Sequence, residues 1–122
     1  KLGLWLPPGG HIDPHELPDD AARREVLEES GLEVELISPR SQLGDVPLLS
    51  RPECILLEDI TKDHQHIDLI YFARITGGVL AVNATEAEGH RWCSSDDLAS
   101  DDIHLDIREL GRQAIAKVSS LE

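Results

Sequence analysis

Apolar residues recur along the chain with two different periods, which predict its strands and its helices. In four segments apolar residues alternate with polar ones or cluster in short runs, as expected for strands. The Gly77-Gly78 pair is typical of a hairpin turn, so the fourth strand is expected to turn back into a short fifth one. The predicted strands cover residues 1–6, 32–37, 53–60, 66–75 and 79–82.

Two other segments carry the signals of helices. The first helix is predicted to begin at Pro18, whose fixed backbone angle suits a first helical turn, and to end before Gly31, a common terminating residue. The second is predicted over residues 103–118, after a short helical turn capped by Ser95. Its apolar residues recur at three- to four-residue steps and form one stripe, made of Ile103, Ile107, Leu110, Ala114 and Val118.

The composition indicates one strongly acidic domain. A chain of 122 residues can bury a single core, and residues 1–122 are expected to form one domain. The net charge of −13 argues against binding a nucleic acid polymer or an anionic membrane through a basic surface. No apolar run approaches the length of a membrane span. Two cysteines, Cys54 and Cys93, do not make a disulfide scaffold, so buried free thiols and a cytoplasmic location are expected.

The first predicted helix crowds carboxylates on one face. Glu25, Glu28 and Glu29 lie three and four residues apart, and like charges at this spacing repel. The helix offers only Arg23 and Arg24 to offset them. One interpretation is a solvated acidic face. The other is a site for a hard divalent cation such as Mg²⁺, which prefers oxygen ligands and would turn the repulsion into binding.

The residues around these glutamates have a diagnostic spacing. The chain reads Gly10, five residues, Glu16, seven residues, Arg24-Glu25-Val26, one residue, Glu28-Glu29, one residue, Gly31-Leu32. This spacing resembles the signature of the Nudix hydrolases, G-x5-E-x7-R-E-U-x-E-E-x-G-U, without a mismatch, where U is a bulky aliphatic residue. The preceding WLPPGG and the later Arg91-Trp92 pair are also similar to family features. Composition alone does not explain so many fixed identities.

The resemblance implies which carboxylates act in catalysis. Glu28 and Glu29 would be metal ligands, and Glu25 would be a metal ligand or a carboxylate that assists the base. Family members commonly add a carboxylate from the loop before the last helix. Glu86, six residues before Trp92, resembles the usual placement and is the favoured ligand or base, with Glu88 second. An ordinary solvated acidic loop is the alternative for both.

The resemblance also implies supporting residues. Gly9 or Gly10 would let a backbone carbonyl approach the ion without a side chain in the way, with Gly10 favoured as the metal contact. Arg24 would neutralise and orient Glu28 one helical turn further on. Glu16 would support the loop or the ligands of the metal.

Histidines supply weaker candidates. His11 and His15 lie in the loop beside the proposed metal, where either could touch phosphate or simply face water. One strand face is predicted to carry three alternating polar residues, His64, His66 and Asp68. They could be pocket-lining groups, zinc ligands or exposed polar residues. Zinc usually needs a third or fourth ligand, and none stands at a suitable spacing. The candidates for substrate contact are His11, His66 and Glu88.

The resemblance implies Mg²⁺-dependent hydrolysis, with Mn²⁺ as a substitute. The bond cleaved would be a phosphoanhydride of a nucleoside diphosphate linked to another group X, giving a nucleotide and phosphorylated X. The partner would be a small molecule, and a homodimer is compatible with this class. The alternatives are a nucleotide sensor that does not cut and an adaptor with an acidic face. The complete set of signature carboxylates favours the enzyme.

The fold implied is α/β, a Nudix-type α/β/α sandwich around a mixed β-sheet. In the family the first strands precede the Gly-Gly turn, and this chain has almost no residues there. The N-terminal strands are therefore expected to be missing from the sheet.

Overall fold

The α/β fold class predicted from the sequence is confirmed. A computed structural model describes residues 6–81 and 91–121, and the predicted first strand lies almost wholly outside these ranges. The elements in chain order are α1 (Pro18–Ser30), β1 (Leu32–Leu36), β2 (Ser41–Leu43), β3 (Val46–Leu48), β4 (Cys54–Thr61), β5 (His64–Ile70), β6 (Ala73–Gly78), a 3₁₀ helix (Asp97–Ala99) and α2 (Leu105–Ser119).

Helix α1 has the predicted bounds. Pro18 occupies its first turn, and Leu17 before it is extended and gives no side-chain cap. Gly31 ends the helix in the left-handed region, with φ of 77°, and its N–H donates to the Leu27 carbonyl at 2.8 Å. A Cβ at position 31 would overlap the Val79 carbonyl. Glycine is therefore required there both by the backbone angle and by the close approach of the chain after β6.

Three antiparallel strand pairs form within the described residues. Strand β1 pairs with β6, from Leu32 opposite Gly78 to Leu36 opposite Ala73, with a bulge between Glu33 and Val34. Strands β4 and β5 form a longer hairpin, and β2 and β3 form a short one. The short hairpin was not predicted, because the segment around Gly44 lacks a clear alternation of apolar and polar residues.

The prediction of one strand over residues 66–75 was wrong. The chain breaks at Tyr71 and Phe72 and changes partner there. The Ile70 carbonyl accepts from Glu53 N–H at 2.7 Å, whereas the Phe72 carbonyl accepts from Ile37 N–H at 3.0 Å. Every residue of this stretch suits a strand, so its local pattern contains no signal of the change.

The predicted hairpin turn at Gly77-Gly78 was also wrong. Both glycines lie inside β6, where they pair with Glu33 and Leu32. Residues 79–81 are not in a strand, and residue 82 lies outside the described ranges. Ala81 N–H donates instead to the carbonyl of Ser30, at 2.7 Å. The second glycine has a φ of 86°, which permits the tight passage beside the end of α1.

The C-terminal part follows the prediction with small shifts. At the start of the 3₁₀ helix, the side-chain hydrogen bond with the backbone involves Ser94 and not the predicted Ser95. Ser94 N–H donates to Asp97 Oδ2 at 3.0 Å, and Asp97 N–H donates back to Ser94 Oγ at 3.3 Å. Ile103 is buried just before α2 begins. The other four residues of the predicted stripe are half-buried along α2.

The buried apolar residues lie where both helices meet the β1–β6 pair. Helix α1 packs against β1, and α2 contacts β6 and the 3₁₀ helix. Cys54 and Cys93 are free and half-buried, less buried than expected. No helix in the described ranges is long and apolar enough to cross a membrane. The buried apolar residues are Ala21, Leu36, Phe72, Leu98 and Ile103.

Candidate active site

Arg24 on α1 joins three of the four signature glutamates, Glu16, Glu25 and Glu28, into one network. Its Nε–H donates to Glu16 Oε2 at 2.8 Å, and Nη2 donates to Glu16 Oε1 at 3.0 Å and to the His11 carbonyl at 2.9 Å. Its Nη1 donates to Glu25 at 2.9 Å and to both carboxylate oxygens of Glu28 at 3.0 and 3.1 Å. All five N–H donors of the guanidinium are thereby directed at acceptors. The contact with Glu28 is the predicted one, across one helical turn.

Glu16 attaches the loop before α1 to this network. Its Oε1 also accepts from Asp13 N–H at 3.0 Å, while Glu16 N–H donates to the Asp13 carbonyl at 3.0 Å. The hydrogen bonds from Arg24, and then the one from Asp13 N–H, lower the pKa of Glu16. The pKa of Arg24 is raised in return, mainly by Glu16. Both groups therefore remain charged at neutral pH.

The glycine turn before the loop packs directly on the glutamates of α1. Gly9 N–H donates to Glu29 Oε2 at 3.0 Å. A Cβ built on Gly10 would lie 2.5 Å from both oxygens of the Glu25 carboxylate. Gly10 therefore leaves room for the Glu25 side chain, which is only 15% exposed.

The glutamates of α1 are less strained than the sequence suggested. Arg24 offsets Glu25 and Glu28, and the backbone at Gly9 holds Glu29. The Nη1 group of Arg24 bridges the two carboxylates of Glu25 and Glu28. The protein's own groups therefore offset part of the repulsion that the spacing of the glutamates predicts.

The donors present fit a hard cation in chemical type. The three signature glutamates of α1 supply carboxylate oxygens, and Gly10 forms a side-chain-free wall against Glu25. Carboxylate oxygen is the ligand that Mg²⁺ prefers. Within residues 6–81 and 91–121, no three His, Cys, Asp or Glu side chains converge on one point, because Glu25 and Glu28 turn toward Arg24. Glu86 and Glu88 lie outside the described residues.

Three histidines meet at the edge of this network. The His11 ring packs edge-on against His66, with centroids 5.7 Å apart, and His66 packs against His64 at 4.8 Å. His66 is thus next to the loop before α1, in which the His11 carbonyl accepts a hydrogen bond from Arg24. His15 lies in the same loop with a φ of 66°. Asp68 lies on the same strand face as His66, and its carboxyl is hydrogen-bonded to Glu58.

A cavity of about 320 Å³ opens between β4 and the start of α2. Its wall includes Glu58, which lies directly opposite His66 in the β4–β5 register. A hydrogen bond with the Asp68 carboxyl, followed by burial, raises the pKa of Glu58. The lining residues are Leu6, Glu58, Asp59, His104, Asp106 and Ile107.

These lining residues were not among the predicted site residues. Glu58 and Asp59 interrupt the apolar run of β4, and that interruption was the available signal. The significance of Glu58 depends on the β4–β5 register, which places it on the same face as His66 and Asp68. His104 and Asp106 come from a distant helix start, and nothing local in the sequence connects them to β4.

The chain is similar to one protein family and to several known proteins. A family model described as "NUDIX domain" matches residues 1–114. A Bacillus subtilis (strain 168) protein named "Putative 8-oxo-dGTP diphosphatase" is 36% identical over 91 residues, which cover 75% of this chain and 50% of that protein. A Bos taurus m7GpppN-mRNA hydrolase is 49% identical over 45 residues, covering 37% of this chain and 14% of that protein.

A solved structure has the same fold. It is the crystal structure of a hydrolase of the NUDIX family from Clostridium perfringens, with a TM-score of 0.82 and 33% identity, covering 93% of this chain and 81% of that one. The chain spans about half the length of its Bacillus subtilis relative. The signature spacing, the fold and the family model agree, and the chain belongs to the NUDIX family.

Proposed function

We propose that this chain carries the active site of a pyrophosphohydrolase. It would hydrolyse a phosphoanhydride bond in a nucleoside diphosphate linked to a group X, giving a nucleotide and phosphorylated X. The observation that carries this proposal is the network around Arg24, which holds Glu16, Glu25, Glu28 and the loop before α1 in one arrangement.

The proposed cofactor is Mg²⁺, with Mn²⁺ as a substitute. Glu25, Glu28, Glu29 and Glu86 would hold it, with the backbone at Gly10 beside them. A bound divalent ion supplies neutralisation of phosphate oxygens and a lower pKa for attacking water. To bind it, Glu25 and Glu28 would turn part of their carboxylates away from Arg24, which rotation about their side-chain bonds allows.

The protein's own groups position the reactants and receive a proton. Hydrogen bonds from Arg24 hold the side chains of Glu25 and Glu28 in position. Glu16 holds the loop before α1 against the same guanidinium. Such positioning reduces the reorganisation needed when the substrate binds. One of the carboxylates, for which Glu86 is our candidate, would accept the proton of the attacking water.

The nucleoside or the group X has a place to bind. The cavity beside β4 lies next to the face that carries His66, and His66 contacts His11 of the signature loop. We propose that the phosphates lie at the glutamates of α1, with His11 and His66 near them, and that the remainder enters this cavity. Glu88 is a further candidate for contact with the substrate.

The names of the relatives support a nucleotide substrate. One is named as a diphosphatase of 8-oxo-dGTP and the other as a hydrolase of m7GpppN-mRNA, and both compounds contain a phosphoanhydride attached to a nucleoside. The charge of −13 favours a small molecule over a nucleic acid polymer as the ligand. We place the reaction in the cytoplasm because both cysteines are free thiols.

A substrate panel tests the proposal. The protein would be incubated with 8-oxo-dGTP, dGTP, a nucleotide sugar, a dinucleoside polyphosphate and a cap dinucleotide, each with Mg²⁺, with Mn²⁺ or with EDTA. Chromatography should show a nucleotide and a phosphorylated second product from at least one compound, and EDTA should abolish the reaction. Binding of a nucleotide without cleavage would favour a sensor instead.

A further inference from the structure

A histidine pair on β5 has the geometry of a chelate. His64 and His66 occupy alternate positions on the strand, so both side chains project from the same face. Their Nε2 atoms are 2.9 Å apart, and their rings meet at an interplanar angle of 73°. In the absence of an ion this contact is an N–H···N hydrogen bond, and the tautomers of the two rings decide which Nε2 donates.

The separation of the two nitrogens matches one coordination geometry. Metal–imidazole bonds are about 2.0–2.1 Å long. Two nitrogens 2.9 Å apart would then subtend an angle of about 90° at a shared ion, given these bond lengths. This angle belongs to square-planar and octahedral ions, whereas tetrahedral zinc requires a wider separation. Imidazole pairs in tetragonal sites are typical of Cu²⁺ and Ni²⁺.

The hairpin fixes this geometry. His64 is opposite Thr61 and His66 is opposite Glu58, with a bulge in β4 between Asp59 and Thr61. The two histidines are successive same-face positions of β5, and this alternation sets the spacing of the two rings. The His11 ring supports His66 from its other side, 5.7 Å away. The carboxyls of Glu58 and Asp68 lie further along the same face and make it attractive to a cation.

We propose that His64 and His66 form an open site for a divalent transition-metal ion, of the Cu²⁺ or Ni²⁺ type. Within the described ranges no third protein donor converges with them, so water completes the coordination. On binding, the ring that carries its proton on Nε2 moves it to Nδ1, and both Nε2 lone pairs face the ion. This site is separate from the carboxylates of α1, whose oxygens suit Mg²⁺.

Metal titration of single variants tests this site directly. Metal-free protein in excess Mg²⁺, which occupies the carboxylate set, is titrated with Ni²⁺ by calorimetry and with Cu²⁺ by electron paramagnetic resonance. The wild type should bind one ion with nitrogen hyperfine coupling. Both His64→Gln and His66→Gln should lower its affinity by roughly tenfold or more. His15→Asn, a loop histidine whose left-handed backbone asparagine tolerates, should leave affinity unchanged.

Several results would overturn this proposal. Unchanged affinity in both β5 variants would do so, as would tighter binding of Zn²⁺ than of Ni²⁺ and Cu²⁺. Circular dichroism and melting curves would show that the variants are folded before titration. Glu28→Gln separates the two sites, because it should abolish hydrolysis yet keep the Ni²⁺ affinity. Loss of Ni²⁺ binding in this variant would assign the ion to α1 and refute the histidine site, whatever the fate of hydrolysis.

Discussion

Gly10→Ala should displace one carboxylate of the candidate active site with little effect on the fold. The new Cβ would lie 2.5 Å from both oxygens of Glu25. The Glu25 carboxylate is the far end of a flexible side chain, so it moves before the backbone does. Ordinary van der Waals contact begins near 3.4 Å, and the carboxylate must therefore shift by about 1 Å.

The shift should cost activity far more than stability. Moving Glu25 off its preferred rotamer costs about 0.5–1.5 kcal/mol, which lowers the melting temperature by a few degrees at most. A misplacement of about 1 Å in a catalytic arrangement can reduce turnover by roughly 100-fold. The change falls on a group that Arg24 also holds at 2.9 Å, so the hydrogen bond to Glu25 should weaken as well.

Gly9→Ala is the matched control. A Cβ at position 9 meets nothing within 4 Å, and the backbone N–H that donates to Glu29 is kept. Initial rates with Mg²⁺ and thermal melts would be measured for both variants on the substrate found in the panel. Equal rates for the two variants would refute the argument that the Glu25 position matters, and a large loss of stability in Gly10→Ala alone would assign the contact to folding.

Three further predictions follow from the charged networks. Arg24→Lys removes the planar guanidinium that bridges Glu16 and Glu28. Because one ammonium cannot reach all these acceptors, turnover should fall strongly while circular dichroism stays native. An unchanged rate would contradict the bridging role. Asp19→Ala removes a carboxylate that is 1% exposed and leaves the buried Ser50 N–H without its acceptor, so urea unfolding should show a loss of about 1–3 kcal/mol. The Arg40 hydrogen bond lowers the pKa of Asp19, and the charged carboxylate therefore adds stability above its unfolded-state pKa near 3.9. The stability gap between wild type and Asp19→Asn should be full above about pH 5 and shrink as the pH falls below about 4; a gap that grows in acid would show the opposite sign.

The parts of the fold predicted correctly depend on local signals. Pro18 and Gly31 mark the ends of α1 through their own backbone preferences. At Tyr71 the chain changes the strand with which it pairs. This change depends on which strand lies nearby, because the residues before and after Tyr71 both favour an extended backbone. The same holds for Gly77 and Gly78, which could form a turn but pair with β1 instead.

The contacts of the candidate site also fall into those that local sequence predicts and those that it does not. The contact between Arg24 and Glu28 follows from their spacing on one helix and was predicted. The contacts of Arg24 with Glu16 and with the His11 carbonyl cross a loop, so their geometry required the structure. The proximity of His66 to His11 depends on where the β4–β5 hairpin lies relative to that loop, and no pattern in either segment contains this information.

We propose that the glutamates of α1 perform Mg²⁺-dependent hydrolysis. Initial rates at saturating Mg²⁺ for Glu28→Gln and Glu29→Gln, compared with Glu33→Gln on the exposed side of β1, test it most directly. The two α1 variants should lose at least about 100-fold in turnover, with native circular dichroism, and Glu33→Gln should match the wild type. Full turnover in either α1 variant would contradict the assignment of that glutamate, and full turnover in both would contradict the claim itself.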